Sequence, residues 1–122
     1  MSEVPIAEKT KYFKKKLKAC LKKYSKSVER ITREINSINP QEGDTIPGLG
    51  LGIEVRVKKL RLELSEYKIG KSKGLRFIFM FVGVKNQIIP LTIYKKGTYK
   101  KEDEKLKEIK LSLKETLKEI SL

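Results

Sequence analysis

The chain contains no histidine and no tryptophan, and Cys20 is its only cysteine. Without histidine, the protein lacks the commonest general base near neutral pH and the commonest metal ligand. A single cysteine excludes an intrachain disulfide and favours a reducing compartment. The sequence has no apolar run of about 18 residues and no signal-peptide pattern, so it predicts neither membrane insertion nor export. We therefore expect a cytoplasmic protein.

Acidic residues are few relative to basic ones. The chain has 29 Lys and Arg against 15 Asp and Glu, a formal charge of +14 on 122 residues. This length suits one domain, residues 1–122. The excess is uneven, since residues 9–33 carry eleven basic residues and one acid, Glu29. The charge favours a polyanionic partner. The basic face of residues 9–33 would then bind nucleic acid or anionic lipid, and the alternative is an ordinary solvated lysine-rich surface.

Two dense apolar runs, Leu75–Val82 and Ile88–Tyr94, are joined by the short polar link Gly83–Gln87. Within the first run every side chain is apolar except Arg76, so a strand here would bury both of its faces in the middle of a sheet. The glycine and asparagine of the link suit a hairpin turn. The sequence therefore predicts that the second run folds back antiparallel on the first.

Helical spacing appears in three other segments. One begins near Lys9 with its apolar face at Phe13, Leu17, Cys20, Leu21 and Tyr24, which makes Cys20 a core residue. A second begins near Ser27 and ends at Asn39-Pro40, and a third spans Glu102–Ile120. A short edge strand at Val4–Ala7 completes the order β-α-α-β-β-β-α. The predicted fold class is α+β, with a small, mainly antiparallel sheet.

The segment Ile53–Leu64 reads as a further strand whose apolar residues change from odd to even positions. One extra residue near Lys58–Lys59 would produce this change, so the sequence predicts a β-bulge there. The preceding stretch, Gln41–Gly52, is a glycine-rich loop. Because a helix precedes it and a strand follows it, we expect its glycines to serve unusual backbone angles instead of a phosphate cradle.

The predicted hairpins gather basic residues at one end of the sheet. Strand alternation places Lys59 and Arg61 on one face near Arg76, and the connecting loop brings further cations. The end of the last strand adds a phenol and more lysines. This arrangement suits a phosphodiester, which arginine binds bidentately and lysine as a point charge. A structural alternative pairs Arg76 with Glu63 across the strands. Besides Lys59, Arg61 and Arg76, the candidate RNA-binding residues are Lys58, Lys71, Lys73 and Lys95.

The same residues resemble a known family. The strand Lys59-Leu60-Arg61-Leu62, the segment Gly70–Phe79 (GKSKGLRFIF) and the segment Leu91–Lys96 (LTIYKK) before a charged helix resemble the RelE/HigB toxins of prokaryotic type II toxin–antitoxin systems. The resemblance covers most of the chain from about Lys11. It implies a RelE-like fold similar to that of microbial ribonucleases, cleavage of mRNA on the ribosome, and a cognate acidic antitoxin as partner. It implies no metal, no small-molecule cofactor and no membrane.

The resemblance also implies catalytic roles. An RNA 2′-hydroxyl would attack the adjacent phosphorus and leave a 2′,3′-cyclic phosphate, while the protein aligns the attack and stabilises charge on the phosphate oxygens. Arg76 matches the family arginine for the transition-state charge, and Arg61 and Lys59 match the basic pair of the preceding strand. Tyr94 and Lys96 match the family's tyrosine and lysine at the end of the last strand. Tyr94 and Tyr99 are candidates for base stacking or proton transfer.

Three alternatives to this function remain. A ParE-like relative would have the same fold, target gyrase and lack nuclease activity. A non-catalytic basic module would bind RNA or DNA through its lysines with steep salt dependence. A degenerate toxin would retain only its antitoxin as partner.

Overall fold

The computed structural model describes residues 9–120, which form an α+β fold of three helices and one four-stranded antiparallel sheet. The strand expected at Val4–Ala7 lies outside the described residues. Relative to the predicted order, the structure adds a two-residue strand before the three long strands. The elements are α1 (Lys11–Lys23), α2 (Val28–Asn36), β1 (Asp44–Thr45), β2 (Val55–Leu62), β3 (Leu75–Val82), β4 (Gln87–Lys95) and α3 (Glu102–Glu119).

The two N-terminal helices form as their apolar spacing predicts. Thr10 caps α1, because its Oγ1 accepts a hydrogen bond from the Phe13 backbone N–H at 3.2 Å. The α1 lysines on the opposite face are exposed, apart from the half-buried Lys16. Cys20 packs half-buried against the core, and burial raises the pKa of its thiol to about 11. Among residues 9–120, no helix is long and apolar enough to span a membrane.

The sheet lies between two helical layers. The strand order is β1-β2-β3-β4, and every neighbouring pair is antiparallel. The helices α1 and α2 cover one face, where Phe13 contacts Phe77 with ring centroids 5.6 Å apart. The helix α3 covers the other face through Ile109 and Leu113. Because β3 is covered on both sides, its alternating residues are nearly all buried, as the uniform apolar run predicted.

The bulge predicted near Lys58–Lys59 is absent, because the β2–β3 register runs without interruption from Val55 to Leu62. The apolar positions change phase because the two halves of β2 face different cores. Val55 and Val57 contact the α3 core, whereas Leu60 and Leu62 contact the α1–α2 core. The change of phase therefore reflects a change of covering layer, and the strand itself is regular.

An irregularity does occur in the sheet, between β3 and β4. Ile78 pairs with Thr92 and Phe79 pairs with Pro90, which leaves Leu91 as the additional residue of β4. Pro90 has no N–H to donate, so an edge strand next to a register shift is the place in a sheet that tolerates it. The four residues Gly83–Asn86 link the two strands, as the hairpin prediction required.

The loop before β2 lies along the α3 side of the sheet. Ile46, Leu49 and Leu51 pack against the α3 core. The intervening glycines at positions 48, 50 and 52 all have positive φ angles of 65–83°, which side-chain-bearing residues rarely adopt. This confirms that these glycines serve the backbone path of the loop.

Candidate functional site

Three of the predicted site residues lie in one row across the sheet. Arg61 of β2 pairs directly with Arg76 of β3, and Arg76 pairs directly with Tyr94 of β4. Directly paired residues of antiparallel strands project from the same face, here the α3 face of the sheet. We call Arg61, Arg76 and Tyr94 the cross-strand row. The sequence predicted this gathering correctly, and the alternative pairing of Arg76 with Glu63 does not occur.

Two predicted lysines extend the row. Lys59 is two residues before Arg61 on β2 and therefore shares its face, and Lys96 follows the end of β4. The Lys96 backbone N–H donates to the Gly74 carbonyl at 2.8 Å, which fixes its position beside the start of β3. The charge of Lys105 lowers the pKa of Lys96 most, and Arg76 and Lys59 lower it further. Four cations thus influence one another at this end of the sheet.

Arg76 is the most buried cation of the row, with 5% of its surface exposed. Its Nη1 donates to the carbonyls of Lys71 at 2.9 Å and Leu75 at 3.3 Å, and its Nη2 donates to the Ser72 carbonyl at 2.7 Å. Within residues 9–120, no carboxylate lies within 4.0 Å of its guanidinium. Burial lowers the pKa of Arg76, and the charge of Arg61 lowers it further.

The two tyrosines of the predicted site contact each other. Tyr94 is 7% exposed, and its ring meets the edge of Tyr99 at a centroid distance of 5.0 Å and an interplanar angle of 78°. Burial raises the pKa of Tyr94. Burial and the nearby Glu108 carboxylate raise the pKa of Tyr99 to about 12. Both phenols therefore hold their protons near neutral pH, and the half-buried Tyr99 is the more accessible of the two.

Behind these tyrosines lies a buried carboxylate, Glu108, which the sequence did not predict as part of the site. Glu108 is 7% exposed and accepts hydrogen bonds from the Tyr12 hydroxyl at 2.8 Å and from Thr92 Oγ1 at 2.7 Å. Lys16 Nζ lies 3.5 Å from the same carboxylate. The network therefore joins α1, β4 and α3. A sequence signal existed, because Glu108, Ser112 and Thr116 repeat at four-residue intervals beside the apolar stripe of α3.

Two residues predicted to bind RNA lie elsewhere. Lys58 projects from the opposite face of β2, is 8% exposed, and donates from Nζ to the Pro40 carbonyl at 2.7 Å. Its predicted contact with RNA is therefore not supported by its position. Lys95 pairs with Leu75, so it also faces the α1–α2 side. The strand period of two residues explains both cases, because each lysine is adjacent in sequence to a residue of the site.

The remaining predicted residues, Lys71 and Lys73, are exposed on a short 3₁₀ turn just before β3. Lys71 and Arg61 line the same groove of about 220 Å³ at the edge of β2, together with the acids Glu34, Glu42 and Glu63. A second groove of about 330 Å³ lies between the sheet and the start of α3. Its walls include Lys59, Tyr94 and Lys105, as well as Asp44, Glu102 and Asp103.

The arrangement is suited to binding an anion, because its donors approach from several sides. Arg61, Lys59 and Lys96 present donors from two strands, and no carboxylate or imidazole belongs to the row itself. Among residues 9–120, no group of three or more His, Cys, Asp or Glu side chains is placed to hold a metal ion. Any acid–base step at this site would fall to a lysine, a tyrosine, a carboxylate of the neighbouring groove such as Glu102, or a group of the substrate.

Comparisons of this chain with protein-family models and with curated proteins found no match. The resemblance to RelE/HigB toxins rests on the residues quoted for it, and membership of that family stays a prediction.

Proposed function

We propose that this chain is a RelE/HigB-like toxin that binds mRNA at the end of the sheet that holds the cross-strand row and cleaves it there. The observation that carries the proposal is the direct pairing of Arg61, Arg76 and Tyr94 across three strands, with Lys59 and Lys96 beside them. The two N-terminal helices, the three long antiparallel strands and the C-terminal helix support a RelE-like arrangement. The expected partners are mRNA on the ribosome and an acidic antitoxin.

The proposed reaction needs only groups of the protein and of the RNA. The 2′-hydroxyl attacks the adjacent phosphorus, the bond to the 5′-oxygen breaks, and a 2′,3′-cyclic phosphate and a 5′-hydroxyl result. Arg61, Lys59 and Lys96 stabilise the charge that grows on the phosphate oxygens, because they project into accessible space. Tyr99 is the accessible phenol for stacking on a base or for transferring a proton.

A second candidate is a non-catalytic RNA-binding module. The observation that favours it is the burial of Arg76, whose guanidinium donates to backbone carbonyls instead of projecting into solvent. Such a module would bind RNA with strong dependence on salt and release no cleavage products. The two candidates share the same binding surface and differ in whether the phosphodiester bond breaks.

The test uses purified protein, a synthetic RNA and programmed ribosomes, with 5′ ends mapped by primer extension. The site variant is Lys59→Gln/Arg61→Gln/Lys96→Gln. The control is Lys110→Gln/Lys114→Gln/Lys118→Gln, which removes the same charge from exposed positions of α3. We expect the wild type and the control to yield products with 2′,3′-cyclic phosphate ends. We expect the site variant to lose at least about 100-fold in rate, the scale seen when charge-stabilising donors are removed.

The outcomes separate the two candidates. If the wild type binds RNA more tightly than the site variant does but yields no new 5′ ends, the non-catalytic module is the correct function. If the site variant and the control are equally active, the cross-strand row is not the site of cleavage, and the proposed function fails.

A further inference from the structure

The guanidinium of Arg76 is directed at the backbone of the turn that precedes its own strand. It donates to the carbonyls of Lys71 and Ser72, and the turn's own hydrogen bonds, Lys73 N–H to the Gly70 carbonyl at 3.2 Å and Gly74 N–H to the Lys71 carbonyl at 3.4 Å, are long. Long hydrogen bonds hold a 3₁₀ turn weakly. The buried guanidinium therefore supplies the stronger constraint on this turn.

A second constraint fixes the turn against the sheet. A Cβ built on Gly74 would overlap the Leu62 carbonyl oxygen, so only glycine allows the turn to lie this close to β2. On its other side, the Gly74 carbonyl accepts the backbone N–H of Lys96. The side chains of Lys71, Ser72 and Lys73 nevertheless remain exposed. We call these three residues the basic turn.

We propose that the basic turn is an RNA phosphate-binding element and that Arg76 is its positioning residue, which acts through the turn and does not contact the RNA. This inference rests on the proposed function, since it requires that the protein binds RNA. It changes the role that the sequence predicted for Arg76. The ligand chemistry is the phosphodiester backbone, which lysine recognises as a point charge without regard to base sequence.

The geometry favours positioning over direct contact. Three hydrogen bonds to carbonyls occupy the two terminal nitrogens of Arg76, which lies 5% exposed beneath the turn. The guanidinium keeps two further N–H donors, but with so little of Arg76 exposed a phosphate would reach them only if the turn moved away, and its carbonyls would then lose their donors at a desolvation cost. Lys71 and Lys73 reach solvent without any such rearrangement. A fixed turn also lowers the entropy lost when the lysines bind.

The test is a double-mutant cycle on the affinity for a short single-stranded RNA, measured at several salt concentrations. In Lys71→Gln/Lys73→Gln, the slope of log affinity against log salt should become shallower by about 1.4, or about 0.7 for each lost contact. Adding Arg76→Gln to that variant should then change the affinity less than about twofold. Arg61→Gln, which removes the same charge from the paired position, should instead add its full effect in both backgrounds.

Two neighbouring glycines give a test that changes no charge. Gly74→Ala displaces the turn from β2, and it should weaken RNA binding about as much as Arg76→Gln does. Gly70→Ala is the matched control, because no atom lies within 4 Å of the added Cβ and its φ of −77° suits alanine. We expect Gly70→Ala to bind RNA within about twofold of the wild type. Thermal unfolding of each variant establishes that the fold is retained.

Amide hydrogen exchange tests, in the absence of RNA, whether Arg76 holds the basic turn in place. In Arg76→Gln, the N–H groups of Lys73 and Gly74 should exchange at least about tenfold faster, while those of β2 and β3 stay protected. Unchanged exchange there would overturn the positioning role of Arg76. If Arg76→Gln weakens RNA binding as much in the Lys71→Gln/Lys73→Gln variant as in the wild type, the positioning role of Arg76 is also overturned. The proposed function would remain intact. A wild type that binds no RNA would overturn the proposed function together with the binding role of the turn.

Discussion

Arg61 and Arg76 stand directly opposite each other on β2 and β3, with no acid between them in the cross-strand row. Like charges at directly paired positions of a sheet destabilise it. The effect appears in Arg76, whose pKa is lowered first by burial and then by the charge of Arg61. A pair that opposes folding is explained most simply by a ligand of opposite charge, whose phosphate would relieve the repulsion.

Replacing Arg61 should therefore improve stability and impair binding at once. We expect Arg61→Gln to raise the free energy of unfolding by roughly 0.2–0.5 kcal/mol, a small gain because Arg61 is exposed. The same change should weaken RNA binding severalfold. Chemical denaturation and RNA titration measure the two effects. Arg56→Gln is the control, since Arg56 is an exposed arginine on the other face of the same strand. If Arg61→Gln destabilises the protein, the repulsion is not significant.

Adjacent lysines of β2 should differ sharply in their contribution to RNA binding. Lys59 shares the face of the cross-strand row, whereas Lys58 projects from the opposite face and donates to the Pro40 carbonyl. We expect Lys59→Gln to make the salt dependence of RNA binding shallower by about 0.7, and Lys58→Gln to leave it unchanged. Equal effects of the two substitutions would show that net charge, and not position on the sheet, governs binding.

The Glu108 network should contribute substantially to stability. Glu108→Leu removes both carboxylate oxygens, so the hydroxyls of Tyr12 and Thr92 lose their shared acceptor. We expect a loss of about 1–3 kcal/mol in the free energy of unfolding, the cost of a buried unpaired polar group. Glu115→Gln, which affects only a 3.8 Å surface pair with Lys118, should cost about 0.5 kcal/mol or less. Equal losses would exclude a structural role for the network.

The raised pKa of Tyr99 should make the free energy of unfolding fall at alkaline pH. Its pKa is raised in the folded protein from 10.0 to about 12, so above pH 10 the unfolded chain loses this proton while the folded protein keeps it. Stability from this group is therefore complete below pH 10 and is lost as the pH rises toward about 12. We expect Tyr99→Phe to lose less stability than the wild type over that interval. Parallel curves for the two proteins would contradict the raised pKa.

Much of the fold follows from local sequence pattern. The apolar runs of β3 and β4, the Gly-Asn link and the helical spacing of α1 and α3 each act over a few residues, and the structure agrees with them. The bulge prediction failed for a tertiary reason. A change of apolar phase in β2 has the same appearance whether a residue is inserted or the covering layer changes, and only the packing of α3 and α1–α2 distinguishes the two.

The candidate site was predictable as a cluster but not in its detail. Strand alternation placed Arg61, Arg76 and Tyr94 together, because direct pairing follows from antiparallel strands. The burial of Arg76 depends on how the Lys71–Lys73 turn folds over it, which no periodicity encodes. The burial of Glu108 is not predictable from the apolar spacing of α3, because hydrogen bonds to Tyr12 and Thr92 compensate for it.

Mapping the RNA contacts on the folded protein shows whether this end of the sheet is the binding surface. Backbone amide chemical shifts of the wild type would be followed by NMR during titration with a short single-stranded RNA. We expect the largest changes at Arg61, in the segment 70–76 and at Lys96, with little change at exposed lysines 110, 114 and 118 of α3. Changes confined to α1 or to the second half of α3, with the end of the sheet unaffected, would contradict it.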